Sequence, residues 1–212
     1  LRIPLNDSIS MNLGGSYTTT TVEFSSAFPK DEVTLLGSEF SEKETARVIA
    51  GLDRIREKAH TMDYARVVTK NTFPKGAGAA ASASGFAALT VAGFAAAGMT
   101  LSEKELTIVA RMGSGSACRS IPDGFVVWEN EFAYSLYPHE YWDLRDILVI
   151  VDSGMKKVST TEGHEGVKTS PYWKERINAI PDRMMRILEA MKTKNFRMFG
   201  DIIEEDTLDM HH

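Results

Sequence analysis

Two stretches of this 212-residue chain combine residue types that could do chemistry on an anion. The first runs Pro74-Lys75-Gly76-Ala77-Gly78-Ala79-Ala80-Ala81-Ser82-Ala83-Ser84-Gly85-Phe86. Its glycines would let phosphate oxygens approach a backbone that a Cβ would block. A helix opening there aims free N–H groups and the positive end of its dipole at the anion. Serine hydroxyls at that end, Ser82 first, can reach a phosphate or a bound Mg²⁺. The spacing is neither that of a Walker A loop nor the dinucleotide Gly-x-Gly-x-x-Gly pattern. A helix rich in Ala and Gly only for close packing would have the same composition, so both readings stand at this point.

The second stretch is Gly113-Ser114-Gly115-Ser116-Ala117-Cys118-Arg119-Ser120. A lone Arg among small residues is well placed to grip a carboxylate or phosphate with two parallel hydrogen bonds, with serine hydroxyls alongside. The alternative is an Arg that ties down local carbonyls. A third stretch, Lys156-Lys157-Val158-Ser159-Thr160-Thr161-Glu162-Gly163-His164, could also meet an anion, although paired lysines at a strand end are usually just solvated.

The remaining reactive side chains are sparse. His60, His139 and His164 are isolated, and no function is attached to His211 or His212. No Cys/His group has zinc-ligand spacing. Cys118 is the one cysteine, which excludes an internal disulfide framework and fits a reducing cytoplasm. Its neighbour Arg119 is expected to lower its pKa. With 24 Lys+Arg against 29 Asp+Glu the net charge is −5, which argues against a general nucleic-acid binder. A chain 43% hydrophobic and 25% charged is neither disordered nor fibrous.

The elements that must position these stretches follow from periodicity and caps. Tyr17 to Phe24, rich in β-branched and aromatic residues, reads as a strand, and Val33 to Leu36 as a second. Ser41 with Glu44 forms a capping box. It opens a helix whose Val48, Ile49, Leu52, Ile55 and Ala59 share one buried face. Ala65 to Thr69 is a strand leading into the glycine-containing loop. From Gly76 to Ser102 no residue is charged, but eleven of the 27 are Ala and five Gly. A membrane span is therefore rejected, because the Leu/Ile/Val/Phe density that drives insertion is missing. A central helix over Ala81 to Ala97, buried on all sides, is expected instead. Ser102 and Glu105 cap a helix through about Arg111, Phe125 to Trp128 and Phe132 to Leu136 form a hairpin, and Ile147 to Val151 reads as a buried strand. Ser170-Pro171 begins a helical run that Pro181-Asp182 restarts, so a domain boundary is expected near residue 170.

Taken in order, several blocks resemble the diphosphomevalonate decarboxylases of the GHMP small-molecule kinase superfamily. They are Asn6 to Ser10, Asn71 to Leu89, Ala110 to Ser120 with Gly124-Phe125-Val126-Val127-Trp128, and Val158 to Gly163 with Thr169-Ser170-Pro171. The resemblance implies an α+β, GHMP-kinase-like two-domain fold. Its N-terminal domain, residues 1–169, would carry a left-handed βαβ crossover and lack its start. Residues 170–212 would be the leading helices of a ferredoxin-like C-terminal domain, only partly present. The implied reaction is ATP- and Mg²⁺-dependent: phosphorylation of the tertiary hydroxyl of diphosphomevalonate, then loss of phosphate and CO₂ to give isopentenyl diphosphate. It further implies a cytoplasmic homodimer in isoprenoid, hence lipid, metabolism, with no nucleic-acid or membrane partner.

Residue by residue, the resemblance places Pro74 to Ser82 at ATP, with Ser82 also at the metal. Arg119 falls at the arginine that orients the substrate carboxylate, a catalytic position. Ser114, Gly115 and Ser116 fall at the substrate, and Thr160 at its diphosphate end. Three departures stand out: Ala81 replaces the first Ser of a Ser-Ser pair, Thr161 an Arg at the diphosphate end, and Ile121-Pro122-Asp123 an aromatic-Gly sequence. The lost Arg makes a phosphomevalonate decarboxylase or a mevalonate 3-kinase-type enzyme the alternative. The family's Lys-Tyr-Trp-Gly-Lys-like segment and its catalytic Asp in an Asp-Ala-Gly-Pro-like motif are not among these residues. The 212 residues are thus expected to be the middle two-thirds of a roughly 320-residue enzyme, or else a nucleotide-binding fragment without turnover. The turn at Trp128-Glu129-Asn130-Glu131 looks short for the family, as if residues were missing.

Overall fold

A computed structural model of the chain describes residues 2–73, 81–147, 149 and 170–211. These fall into two compact units, the first within residues 1–4 and 10–154 and the second within 5–9 and 155–212. The first unit holds the strands and helices expected up to the hairpin, and adds a leading strand and a 3₁₀ turn that were not expected. It comprises β1 (Ser8–Met11, shared at its start with the second unit), β2 (Thr18–Ser25), β3 (Glu32–Leu35), α1 (Glu42–Ala59), β4 (Tyr64–Asn71), α2 (Ala81–Ala96), α3 (Glu103–Gly113), a 3₁₀ turn (Gly115–Ser120), β5 (Phe125–Glu129) and β6 (Phe132–Tyr137). One three-stranded sheet has the order β1-β5-β6 and the other β2-β4-β3.

The second sheet shows why the glycine-containing loop starts where it does. β4 runs antiparallel to β2, with Val22 opposite Val67 and Thr18 opposite Asn71, and parallel to β3. Parallel neighbours need a crossover, and α1 supplies it, giving a βαβ unit. Both ends of α1 are fixed chemically. Ser41 and Glu44 form the capping box, and His60 closes the C-terminus in the left-handed conformation at φ 53°. Arg56 grips Asp31 through two bonds of 2.9 Å, and Asp31 also accepts from the Ala65 amide at 2.8 Å, so one carboxylate joins α1 to the start of β4. Leu52, Ala65, Val67, Phe86, Leu89, Ala110 and Ala117 make the core between these elements.

Helix α2 occupies the predicted residues, but it is not buried on all sides. Ala83, Phe86, Ala87, Leu89, Thr90, Gly93 and Phe94 are buried, whereas Val91, Ala95 and Ala96 are exposed. Absence of charge measures composition, and an alanine surface can face water at little cost. Close approach is nonetheless real on the inner face: a Cβ at Gly93 would overlap Ile55 Cδ1 of α1. The β5–β6 hairpin closes tightly, with Glu129 paired to Phe132 and Asn130 at φ 52°. Of the run Ile147 to Val151, read as a buried strand, Ile147 and Val149 are exposed and lie in no strand, and residues 148, 150 and 151 lie outside the described residues.

In the second unit α4 (Trp173–Lys192) packs against α5 (Phe196–His211). Ser170-Pro171 does not supply the cap and first turn. Ser170 Oγ accepts from the Tyr172 amide at 3.3 Å in a preceding turn, and the helix starts at Trp173. Pro181 lies inside the 20-residue helix and does not restart it. The buried apolar residues of α4 are Ile180, Ile187, Ala190 and Met191, and Ile202 of α5 is buried as well. Arg183 binds Glu205 at 3.1 Å, Asp206 at 3.2 Å and Asp209 at 2.6 Å. Among the described residues, no helix is long and apolar enough to cross a membrane.

Candidate functional site

The first turn of α2 is held to the β2–β4 sheet by side chains that sequence reasoning did not single out. The Thr18 hydroxyl donates to Asn71 Oδ1 at 2.7 Å and shares a further hydrogen bond of 2.7 Å with Ser84. The register that sets Thr18 opposite Asn71 thereby fixes where the helix begins. The signal was visible only as polar residues at a strand end, which many surface strands share. Of the residues expected at ATP, Pro74 to Ala80 lie outside the described residues, while Ala81 and Ser82 open α2.

Both singled-out stretches meet here. Ser82 Oγ lies 3.3 Å from Ser114 Oγ, 32 residues further along the chain. Ser114 is buried and forms the C-cap of α3, its amide donating to the Ala110 carbonyl at 3.1 Å. Its own carbonyl accepts from the Ala117 amide at 2.9 Å, starting the 3₁₀ turn that carries Gly115, Ser116, Cys118 and Arg119. Thr160 lies outside the described residues. A cavity of about 100 Å³, walled by Phe40, Val48, Val67 and Phe86, reaches Ala81 and Ser82.

Two guanidiniums give the region its electrostatic character. Arg47 of α1, not foreseen from sequence, lines the cavity, stacks 5.0 Å from the Phe86 ring centre and donates to the Gly113 carbonyl at 3.1 Å. Burial lowers its pKa, with Arg2 adding to the effect. Arg119 sits 5.5 Å from the Trp128 ring, and burial lowers its pKa as well. Partly desolvated cations gain from an anionic ligand, because the ligand replaces lost hydration.

Cys118 corrects an expectation. Its thiol is fully buried, donates to the Gly115 carbonyl at 3.2 Å, and is pushed up to about 11. Burial outweighs the downward pull of Arg119 and Arg111, so adjacency in sequence does not activate this thiol. His60 is a helix cap, and His139 pairs with Asp123 at 2.7 Å on the surface. Among the described residues, no group of three or more His, Cys, Asp or Glu could cage a metal. The exposed Ser82 hydroxyl suits Mg²⁺ as one oxygen among phosphate and water ligands, the manner in which that ion is usually held.

Residues 1–135 match the family model of the diphosphomevalonate decarboxylase-like N-terminal domain, and residues 147–212 that of the mevalonate 5-diphosphate decarboxylase C-terminal domain. The diphosphomevalonate decarboxylase of Ganoderma lucidum is 33% identical over the whole of this chain, which spans 59% of that relative's length. The mevalonate diphosphate decarboxylase of Staphylococcus aureus superposes with a TM-score of 0.90 at 34% identity, over 99% of this chain and 66% of that one. A solved complex of MDDEF with MVAPP, AMPPCP and magnesium superposes with a TM-score of 0.87 at 35% identity, over 98% and 66%. The mixed α/β architecture is accordingly GHMP-kinase-like. The N-terminal family model covers more than half of the residues, and the chain belongs to the diphosphomevalonate decarboxylase family.

Proposed function

We propose that this chain is part of an ATP-dependent decarboxylase that converts diphosphomevalonate to isopentenyl diphosphate. The observation that carries the reading is the contact between Ser82, at the start of α2, and Ser114, at the head of the turn bearing Arg119. It sets a phosphate-directed helix end beside a carboxylate-directed Arg. Phosphoryl transfer is mostly positioning and charge stabilisation, and these residues supply both. Residues 74–82 with the α2 N-terminus hold the nucleotide phosphates, and the neighbouring apolar cavity suits a purine ring. Ser82 contributes an oxygen to Mg²⁺, which neutralises the transferring phosphate when bound. Arg119 holds the substrate carboxylate until it leaves as CO₂. Ser114, Gly115 and Ser116 line the substrate, and Thr160 meets its diphosphate.

We place the enzyme in the cytoplasm as a homodimer, and assign residues 1–169 and 170–212 to its nucleotide-and-substrate domain and its C-terminal domain. A second reading has one specific observation in its favour: Thr161 removes a positive charge from the diphosphate end, which suits a monophosphorylated substrate.

The test supplies the whole polypeptide with ATP, Mg²⁺ and either mono- or diphosphorylated mevalonate, following ADP and CO₂. Turnover of the diphosphate is expected, and Arg119→Ala is expected to lower it at least about a hundredfold with the fold intact. Turnover of the monophosphate alone would establish the second reading, and ADP without CO₂ a 3-kinase. ATP binding with no turnover of either would leave a nucleotide-binding protein.

A further inference from the structure

We propose that Thr18 is a positioning residue for the nucleotide: its hydroxyl holds the first turn of α2, and with it Ser82, against the end of β4 for the phosphates and Mg²⁺. This rests on the assignment of the α2 N-terminus to the nucleotide above. Thr18 opens β2 opposite Asn71, the last residue of β4. Its hydroxyl donates to Asn71 Oδ1 at 2.7 Å, an oxygen that can only accept. The Ser84 hydroxyl, also 2.7 Å away, is therefore the donor of the second bond, and lies 3.4 Å from the Ala81 carbonyl. One hydroxyl on a strand thus joins residue 71, where β4 ends, to residue 84 in the first turn of α2.

The mount is firm, and the helix end needs it. Beside Thr18, the Thr72 amide donates to the Tyr17 carbonyl and the Thr72 hydroxyl accepts from the Tyr17 amide, both at 3.0 Å. Helices α1 and α3 secure their own starts, each with a Ser/Glu capping box and two acidic residues in the first turn. Helix α2 has no acidic residue in its first turn. Residues 74–80 are Pro, Lys, Gly and Ala, none of which carries a side chain that can accept from a helix amide. A local cap would compete with phosphate for those amides. An anchor through the Ser84 side chain does not compete, so Thr18 fixes the helix end while using none of the groups that meet the anion.

Calorimetry on the whole polypeptide tests this, with AMPPCP and Mg²⁺ titrated at saturating mevalonate diphosphate, and mevalonate diphosphate titrated alone. Thr18→Val keeps the shape and the strand preference but removes both bonds. It should weaken AMPPCP about tenfold and leave mevalonate diphosphate within about twofold of wild type. Thr18→Ser keeps the hydroxyl and should bind AMPPCP within about threefold of wild type. On a Ser84→Ala background, Thr18→Val should cost less than it does alone, since one of its two bonds is already gone. If Thr18→Val does not fold, Ser84→Ala stands in, with an expected loss of about threefold. Unchanged AMPPCP affinity in Thr18→Val, or in the stand-in, would overturn the proposal. Equal losses for both ligands, or no rescue by Ser, would overturn it too and leave Thr18 a folding residue. A wild type that binds no AMPPCP would instead end the nucleotide assignment itself.

Discussion

Gly113 is the residue on which the two halves of the site depend for their spacing, and its replacement by Ala can be worked through from the coordinates. A Cβ there would overlap Phe86 Cδ1, with Cγ 2.8 Å and Cε1 2.9 Å away. The obstacle is the near side of a ring, not the end of a flexible chain. That ring is buried and carries the Arg47 guanidinium on its face, so rotation is blocked on both counts. Overpacking of this kind costs about 1–3 kcal/mol. Ala gains at most about 1 kcal/mol of helix propensity over Gly, and less at the last helical position. A net loss of about 1–2 kcal/mol follows. Gly85→Ala is the matched control, since its Cβ would meet nothing within 4 Å on a neighbouring helix, α2; it should be neutral or stabilise by up to about 1 kcal/mol. Urea unfolding of the three proteins, compared at equal slope, measures both differences. Gly113→Ala as stable as wild type would refute the claim that Phe86 and Gly113 set the distance between α2 and α3.

Other consequences can be checked separately. Arg183→Met should cost about 0.5–1 kcal/mol, because it removes the cation that Glu205, Asp206 and Asp209 share while Arg186 still holds the first and Arg176 the other two; an unchanged midpoint in urea would refute this. Glu205 is held below the usual carboxylate range chiefly by its bond to Arg183. Its contribution is full above the ordinary Glu value and is lost as pH falls through the lowered one. Wild type should therefore lose more stability than Glu205→Gln over that acid range, and parallel curves would count against it. The His139 pKa is raised chiefly by its hydrogen bond to Asp123, so an NMR titration of Asp123→Asn should show it fall. No change would mean that the pair does not persist in solution. Cys118, with its thiol at about 11 and buried, should resist a disulfide reagent at pH 8 until denaturant is added. Stoichiometric labelling of the native protein would contradict its placement.

Local rules settled a great deal of this molecule. The capping boxes Ser41/Glu44 and Ser102/Glu105 mark their helices within a residue, because a cap is a short-range hydrogen bond between near neighbours. Alternation and β-branching located β2 and β4, and the order of the blocks located the family. What sequence could not decide depended on partners distant along the chain. The thiol of Cys118 looked activated beside Arg119, yet its burial, set by Val126 and Ala133 across the core, controls its protonation. Pro181 could only be placed inside a helix once the apolar residues on either side were seen to pack as one face. The meeting of Ser82 with Ser114, and of Arg47 with Gly113, joins residues 32 and 66 positions apart. Residue types and local spacing named the groups that can hold phosphate and carboxylate; only close packing of α1, α2 and α3, through glycines that admit no Cβ, brings those groups within reach of one another.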